Sequence, residues 1–226
     1  LVVCGERLAH PNVVYRKAMG KYDAINFGIK LLPKDVDIVA LNDVDTVIHD
    51  IDAALRYFNY DDVALVFSRV VVREGPQTLF YLFLDAIRRR VPITASGELM
   101  LIRREVLNEI LPLKPCKAED SYILFKVLEL GYKVVFCEES YVVTERTKSA
   151  EKEEMYKRKT VAGLYQALSY TKPPKSIRLF YILLPLISPL LLVLGRRVLF
   201  DEGYFAWLSR LLTLGSYGVW QTTYME

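Results

Sequence analysis

The chain has 226 residues, of which 52% are hydrophobic and 25% charged, and its formal net charge is +3. This length allows one sizeable α/β domain with a short appendage, and the composition excludes a disordered chain. The small net charge, without a long basic run, excludes nucleic acid as the expected partner. The three cysteines, Cys4, Cys116 and Cys137, lack metal-ligand spacing and predict free thiols.

Short apolar segments alternate with segments of helical periodicity along the first two thirds of the chain. We predict strands over 1–4, 12–15, 37–41, 63–67, 70–72, 98–102, 133–137 and 141–143. We predict helices over 21–32, 51–58, 78–90, 104–110 and 120–130. Pro33 is expected to end the first helix, and Gly131 the last. This alternation favours an α/β sheet flanked by helices, in which ligands bind at the carboxyl ends of strands.

The composition changes after position 172, which divides the chain into a domain over 1–172 and a helical segment over 173–226. Residues 179–195 carry no charge and would form a helix of about 25 Å, slightly short of the roughly 30 Å hydrocarbon core of a bilayer. Residues 204–220 are rich in tyrosine and tryptophan, which favour the headgroup zone. We therefore expect membrane association, either as a span or as an interfacial or re-entrant segment. The alternative is a buried core helix, although Pro185 and Pro189 fit that less well.

The sharpest local signal is Asp43-Val44-Asp45, directly after a predicted strand. Two carboxylates at a strand end can hold a hard divalent cation, which stabilises a departing diphosphate as a Lewis acid. The alternative interpretation is a solvated turn or a helix cap, since Asp45-Thr46 also suits an N-cap. The two histidines, His10 and His49, are interpreted as surface or cap residues, although His49 is close enough in sequence to lie near such a metal.

Three further motifs flank this one. Gly20-Lys21-Tyr22-Asp23-Ala24-Ile25-Asn26-Phe27-Gly28 precedes it, Gly97 begins a strand that ends in Arg103-Arg104, and Glu119-Asp120 opens a helix that ends in Gly131-Tyr132. In this order the motifs, spread over 1–147, resemble the family 2 inverting glycosyltransferases. That group contains cellulose, chitin and hyaluronan synthases and dolichyl-phosphate sugar synthases. The resemblance implies a GT-A-like fold, which is a Rossmann-like mixed sheet with flanking helices.

The resemblance also implies a role for each matching residue. Lys21 corresponds to a lysine near the nucleotide, and Asp43 to an aspartate near the ribose or diphosphate that can also contact the metal. Asp45 corresponds to the metal-binding aspartate, with Mg²⁺ or Mn²⁺ as the cofactor. Asp120 corresponds to the base that deprotonates the acceptor hydroxyl, and Glu119 precedes it as in the family. Without the resemblance, Glu119 and Asp120 would be interpreted as an acid pair that stabilises a helix N-terminus.

The chain departs from the family pattern in two places. Processive members carry Q-x-x-R-W after the acidic helix, whereas this chain has Tyr156-Lys157-Arg158-Lys159-Thr160. The resemblance implies that Arg158 or Lys159 contacts the diphosphate, and the alternative is a solvated basic helix face. The opening strand and helix of the family have no counterpart, so we expect an N-terminally incomplete domain in which Cys4 and Glu6 occupy the nucleobase side.

The leading hypothesis is an inverting glycosyltransferase that moves a sugar from a UDP- or GDP-sugar to a lipid-linked or polysaccharide acceptor. Inverting transfer is a single displacement that needs one base and no covalent nucleophile. We expect the catalytic domain to face the cytoplasm. The alternatives are a non-catalytic membrane scaffold of the same fold and a sugar nucleotidyltransferase.

Overall fold

The computed structural model describes residues 1–73, 77–145 and 150–195, with the backbone alone for 77–80, 83, 150–158 and 186–195. The strands are β1 (Val2–Cys4), β2 (Val13–Tyr15), β3 (Ile38–Asn42), β4 (Val47–His49), β5 (Val63–Val72), β6 (Leu99–Arg103) and β7 (Lys133–Thr144). The helices are α1 (Lys21–Gly28), α2 (Ile51–Leu55), α3 (Gln77–Arg88), α4 (Arg104–Ile110), α5 (Glu119–Glu129), α6 (Ala150–Tyr170) and α7 (Lys175–Gly195).

Five strands form one mixed sheet in the order β3-β6-β5-β7-β4. Strand β6 is antiparallel to both of its neighbours, whereas β5 and β7 are parallel. Strands β1 and β2 form a separate parallel pair, and β1 packs against α1. The predicted mixed α/β architecture is therefore confirmed.

Strands β5 and β6 are buried on both faces, which explains their nearly continuous apolar sequences. Side chains alternate between the faces because successive residues of a strand point to opposite sides. Leu65 and Phe67 of β5 face a core that is closed by α1, α4, α5 and α7. Val66 and Val70 face a second core that is closed by α2 and α3. The sheet is thus a middle layer between two helical layers.

The prediction of two short strands over 63–72 was wrong, because β5 is continuous. The polar Ser68 looked like an interruption, yet it is fully buried, and its hydroxyl shares a hydrogen bond of 2.8 Å with that of Ser140. Strand β7 is likewise continuous. The pairs Ser68–Cys137 and Arg69–Tyr141 are successive, so the residues between Cys137 and Tyr141 form a bulge.

The region after β3 also differs from the prediction. Strand β4 was not predicted, and it pairs antiparallel with β7 at the sheet edge. The helix predicted over 51–58 is α2 followed by a 3₁₀ turn over Arg56–Asn59. Its N-cap is Asp50, with a left-handed φ of 50°, whose carboxylate accepts the Ala53 N–H at 3.3 Å.

Helix α7 packs against the core through its first turns and contains the whole predicted uncharged segment over 179–195. Ile177 and Tyr181 are buried in the same core as Phe125 of α5. Leu179 and Ile182, by contrast, are 54% and 61% exposed. Within the described ranges, no helix is both long and apolar enough to cross a bilayer. The predicted aromatic segment over 204–220 lies outside the described residues.

Candidate active site

The site begins where β3 ends. Antiparallel pairing places Asn42 opposite Leu99 of β6, and the next residue, Asp43, donates its N–H to the Glu98 carbonyl at 3.2 Å. The Thr46 hydroxyl donates to the Asp43 carbonyl at 2.8 Å and lies 2.9 Å from Asn42 Oδ1. Thr46 therefore closes a turn rather than following a helix cap, so the N-cap alternative for Asp45-Thr46 was wrong.

This turn presents its two aspartates differently. The side chain of Asp43 is 37% exposed and faces the body of the protein. Asp45 is exposed, and among the described residues it makes no hydrogen bond or ion pair. Asp45 therefore leaves a carboxylate free for a ligand from solution, beside one that is already held.

Lys21 connects this turn to two other elements. Lys21 opens α1 directly after Gly20, whose φ of 111° strongly favours glycine. Its ammonium Nζ lies 2.5 Å from Asp43 Oδ1 and 3.2 Å from Glu119 Oε1. It also donates to the Gly97 carbonyl at 2.9 Å. One ammonium therefore joins the end of β3, the start of α5 and the loop before β6.

Asp120 also lies against Gly97. One of its carboxylate oxygens accepts the Ser121 N–H at 2.7 Å, which fixes the side chain at the start of α5. A Cβ added to Gly97 would lie 3.2 Å from both Cβ and Oδ2 of Asp120. Glycine at position 97 therefore allows a close approach of the loop to this carboxyl group.

The electrostatics of the site are dominated by carboxyl groups. Burial and the neighbouring Glu119 raise the pKa of Asp120 to about 7, while the Ser121 N–H and the Lys21 ammonium lower it. Burial lowers the pKa of Lys21, but the neighbouring carboxylates of Glu119 and Asp43 raise it by a larger amount. The pKa of Lys21 therefore lies above its usual value. Lys21 therefore stays positively charged, and among the described residues it lies beside three carboxyl groups, those of Asp43, Glu119 and Asp120.

These carboxylates fit Mg²⁺ or Mn²⁺ only if the substrate supplies further metal ligands. Among the described residues, no group of three or more histidine, cysteine or acidic side chains is arranged to hold a metal. Magnesium, however, is usually bound by one or two carboxylates together with substrate phosphates. Asp45, with Asp43 beside it, could supply those carboxylates, and the excess negative charge favours a cation there.

Several predicted residues lie elsewhere. The side chain of Arg158 is outside the described part of α6, so its predicted diphosphate contact stays a prediction. His49 stacks on Tyr141, with ring centroids 4.6 Å apart. Cys4 and Glu6 lie next to each other near the N-terminus, where the Glu6 N–H donates to Cys4 Sγ at 3.4 Å. All three cysteines are free.

The paired arginines at the end of β6 have structural contacts. Arg103 donates to the backbone carbonyls of Phe58, Tyr60 and Val63. Arg104 donates to the carbonyl of Ile29 and to Asn108. Sequence reasoning did not assign the Gly97 carbonyl to the site. A glycine directly before an acidic residue and a buried strand is the signal that could have suggested it.

Comparison with known proteins places the fold. No family model matches the sequence, and no curated protein matches it significantly. Among solved structures, the chain is similar to the mannosyltransferase PcManGT from Pyrobaculum calidifontis in complex with GDP-Man and Mn²⁺. The TM-score is 0.61 at 17% identity, over 93% of this chain and 64% of that chain. It is also similar to GalNAc-T7 with UDP, GalNAc and Mn²⁺, with a TM-score of 0.49 at 14% identity, over 70% of this chain and 36% of that chain.

The likeness to the mannosyltransferase shows that the chain has a GT-A-type fold. The chain spans 64% of the length of the mannosyltransferase.

Proposed function

We propose that this chain is the catalytic domain of an inverting glycosyltransferase similar to family 2. It takes a sugar from a nucleotide diphosphate, GDP or UDP, and transfers it to a lipid-linked or polysaccharide acceptor. The main support for the proposal is that Asp120, Gly97 and Lys21 lie together beside the turn that carries Asp43 and Asp45. The GT-A-type fold supports it, since it is the fold of a mannosyltransferase that binds GDP-Man and Mn²⁺.

Asp120 is the proposed general base. A base works best when its pKa lies near the working pH, and burial and Glu119 raise the pKa of Asp120 to about 7. The carboxylate takes the proton of the acceptor hydroxyl as the acceptor oxygen bonds to the anomeric carbon. The bond from that carbon to the diphosphate oxygen breaks, and the diphosphate leaves with the electron pair. This single displacement inverts the anomeric configuration.

The proposed metal ligand is Asp45, with Asp43 as the second carboxylate near the diphosphate. Bound there, Mg²⁺ or Mn²⁺ would neutralise negative charge on the leaving diphosphate. Lys21 holds Asp43 in place and carries a second positive charge toward the same region.

We further propose that the chain associates with a membrane through 173–226, with its catalytic domain in the cytoplasm. The uncharged sequence over 179–195 supports this, and so does the exposure of Leu179 and Ile182 on the outer side of α7. A lipid-linked acceptor would then be presented at the membrane surface.

The test is sugar transfer from GDP-mannose and UDP-sugars to lipid and glycan acceptors with Mn²⁺, followed by detection of the glycosylated product. Asp120→Asn should reduce transfer by at least about a hundredfold, while nucleotide affinity stays close to that of the wild type and the melting temperature is not lowered. Asp61→Asn, at an exposed turn remote from the site, is the matched control and should remain fully active.

Other outcomes separate the alternative functions. Full activity of Asp120→Asn would show that Asp120 is not the general base. A wild-type chain that binds no metal-nucleotide would favour the scaffold. Release of pyrophosphate from a nucleoside triphosphate and a sugar phosphate would identify a nucleotidyltransferase.

A further inference from the structure

The loop that precedes β6 is held by other elements at each of its residues from Ile93 to Ser96. The Ile93 carbonyl accepts the hydroxyl of Tyr181 on α7. Arg88 of α3 donates to the carbonyl of Thr94 at 3.0 Å and to that of Ala95 at 3.2 Å. The buried Ser96 hydroxyl donates to the Ser68 carbonyl of β5. Helices α3 and α7 and strand β5 thus fix four consecutive residues.

The next residue in this loop is Gly97, which contacts both sides of the candidate active site. Its carbonyl accepts a hydrogen bond from the Lys21 ammonium, and a Cβ added to it would lie 3.2 Å from Oδ2 of Asp120. A displacement of the loop would therefore change the position of Gly97 against both groups. Because a misplacement of about 1 Å can cost about a hundredfold in rate, this loop has to be held firmly.

Tyr181 contacts both the loop and the helix that carries Asp120. It is 3% exposed, and its ring packs edge-on against Phe125 of α5, with centroids 5.8 Å apart at 69°. Its backbone carbonyl accepts the Tyr165 hydroxyl of α6 at 3.0 Å. The ring alone would fill this space equally well as phenylalanine, so the hydroxyl has a separate role: it binds the loop.

We infer that Tyr181 is a positioning residue, through which α7 sets the place of Gly97 against Asp120. Helix α7 then helps to position the active site and is also a candidate membrane contact. This inference rests on the proposed function for its kinetic consequences. The anchoring of the loop itself can be measured without any activity.

The test variant is Tyr181→Phe, which removes one oxygen and keeps the ring. Hydrogen exchange followed by mass spectrometry should show roughly fivefold faster exchange over 91–98, as the loss of one buried hydrogen bond implies. Exchange in α1 and β7 should be unchanged. In the transfer assay, kcat should fall about tenfold while KM for the nucleotide sugar stays within about twofold.

The matched control is Tyr132→Phe, which removes a tyrosine hydroxyl that lies 3.3 Å from Glu109, away from the loop. It should change neither the exchange over 91–98 nor kcat. Unchanged loop exchange in Tyr181→Phe, or uniformly faster exchange across the chain, would overturn the inference. If the wild-type chain transfers no sugar, the proposed function fails, and the exchange experiment still decides whether Tyr181 anchors the loop.

Discussion

The ammonium of Lys21 lies 2.5 Å from the carboxylate of Asp43 and 3.2 Å from that of Glu119. These acidic residues follow β3 and open α5, so they come from distant parts of the sequence and meet at one cation. Asp120 adds a further carboxyl group beside them. The site thus concentrates negative charge, and among the described residues Lys21 supplies a cation within hydrogen-bonding distance of it.

Lys21→Met should therefore destabilise the protein in a pH-dependent way. At pH 7.5 we expect a loss of about 1 kcal/mol, a figure reduced for the partial exposure of the pair. At pH 5 the loss should be smaller, because Asp120 is then protonated and repels its neighbours less. Urea unfolding at the two pH values measures both. Lys133→Met, which breaks an exposed ion pair of 3.5 Å with Asp62, should show little change at either pH.

Asp120→Asn should be more stable than the wild type above pH 7. The folded-state pKa of Asp120 is raised to about 7 from an ordinary value of 3.8. Folding therefore favours the protonated form, and its contribution to stability is complete below about pH 4 and lost as the pH rises through 7. The difference between the two proteins should grow by on the order of 2 kcal/mol between pH 4 and pH 8. Denaturant midpoints across this range measure it, and parallel curves would contradict the raised pKa.

Two glycine substitutions should separate activity from stability. In Gly97→Ala the new Cβ meets Asp120 at 3.2 Å, so the carboxyl group has to shift, and we expect about a tenfold loss of kcat. In Gly131→Ala the Cβ meets nothing within 4 Å, but φ is +86°, so stability should fall by about 1 kcal/mol. Transfer assays and thermal melts of both variants test the pair. Equal losses of activity would argue against the Gly97 contact.

Asp45→Asn should weaken metal-dependent nucleotide binding without changing stability. Asp45 is exposed and, among the described residues, unpaired, so its loss leaves no buried group without a partner. Calorimetry with GDP and Mn²⁺ should show at least about a tenfold weaker affinity, as for the loss of one carboxylate ligand. GDP without metal should bind both proteins alike. If Mn²⁺ strengthens GDP binding equally in both proteins, Asp45 is not the metal ligand.

The sequence predicted the sheet-and-helix alternation well, because buried strands and helices with regular apolar spacing have strong local patterns. It also singled out Lys21, Asp43, Glu119 and Asp120, although their roles stay predictions. The direct contact of Lys21 with both acidic residues was not predictable, because it depends on how β3, β6 and α5 meet in space. Strand β4 was missed because its three exposed residues have no buried face, and its pairing with β7 alone makes it a strand.

The composition of α7 did not indicate that its first turns pack against the core and contact the loop before β6. An uncharged segment predicts contact with lipid as readily as contact with a protein core, since both surroundings are apolar. The burial of Ile177, and that of Tyr181 against Phe125, distinguish the two for the first turns of the helix. The hydrogen bond from its hydroxyl to the loop has no local signature in the sequence.

The parallel pairing of β5 with β7 also has a consequence for biosynthesis. Val63 pairs with Lys133, so the centre of the sheet closes only when a late segment of the chain returns to an early one. Such non-local pairings form slowly, because the entropy of loop closure has to be lost first. On the ribosome, β5 and β6 would therefore emerge with apolar surface exposed until β7 has been synthesised. We expect chains truncated before β7 to aggregate or to require chaperones.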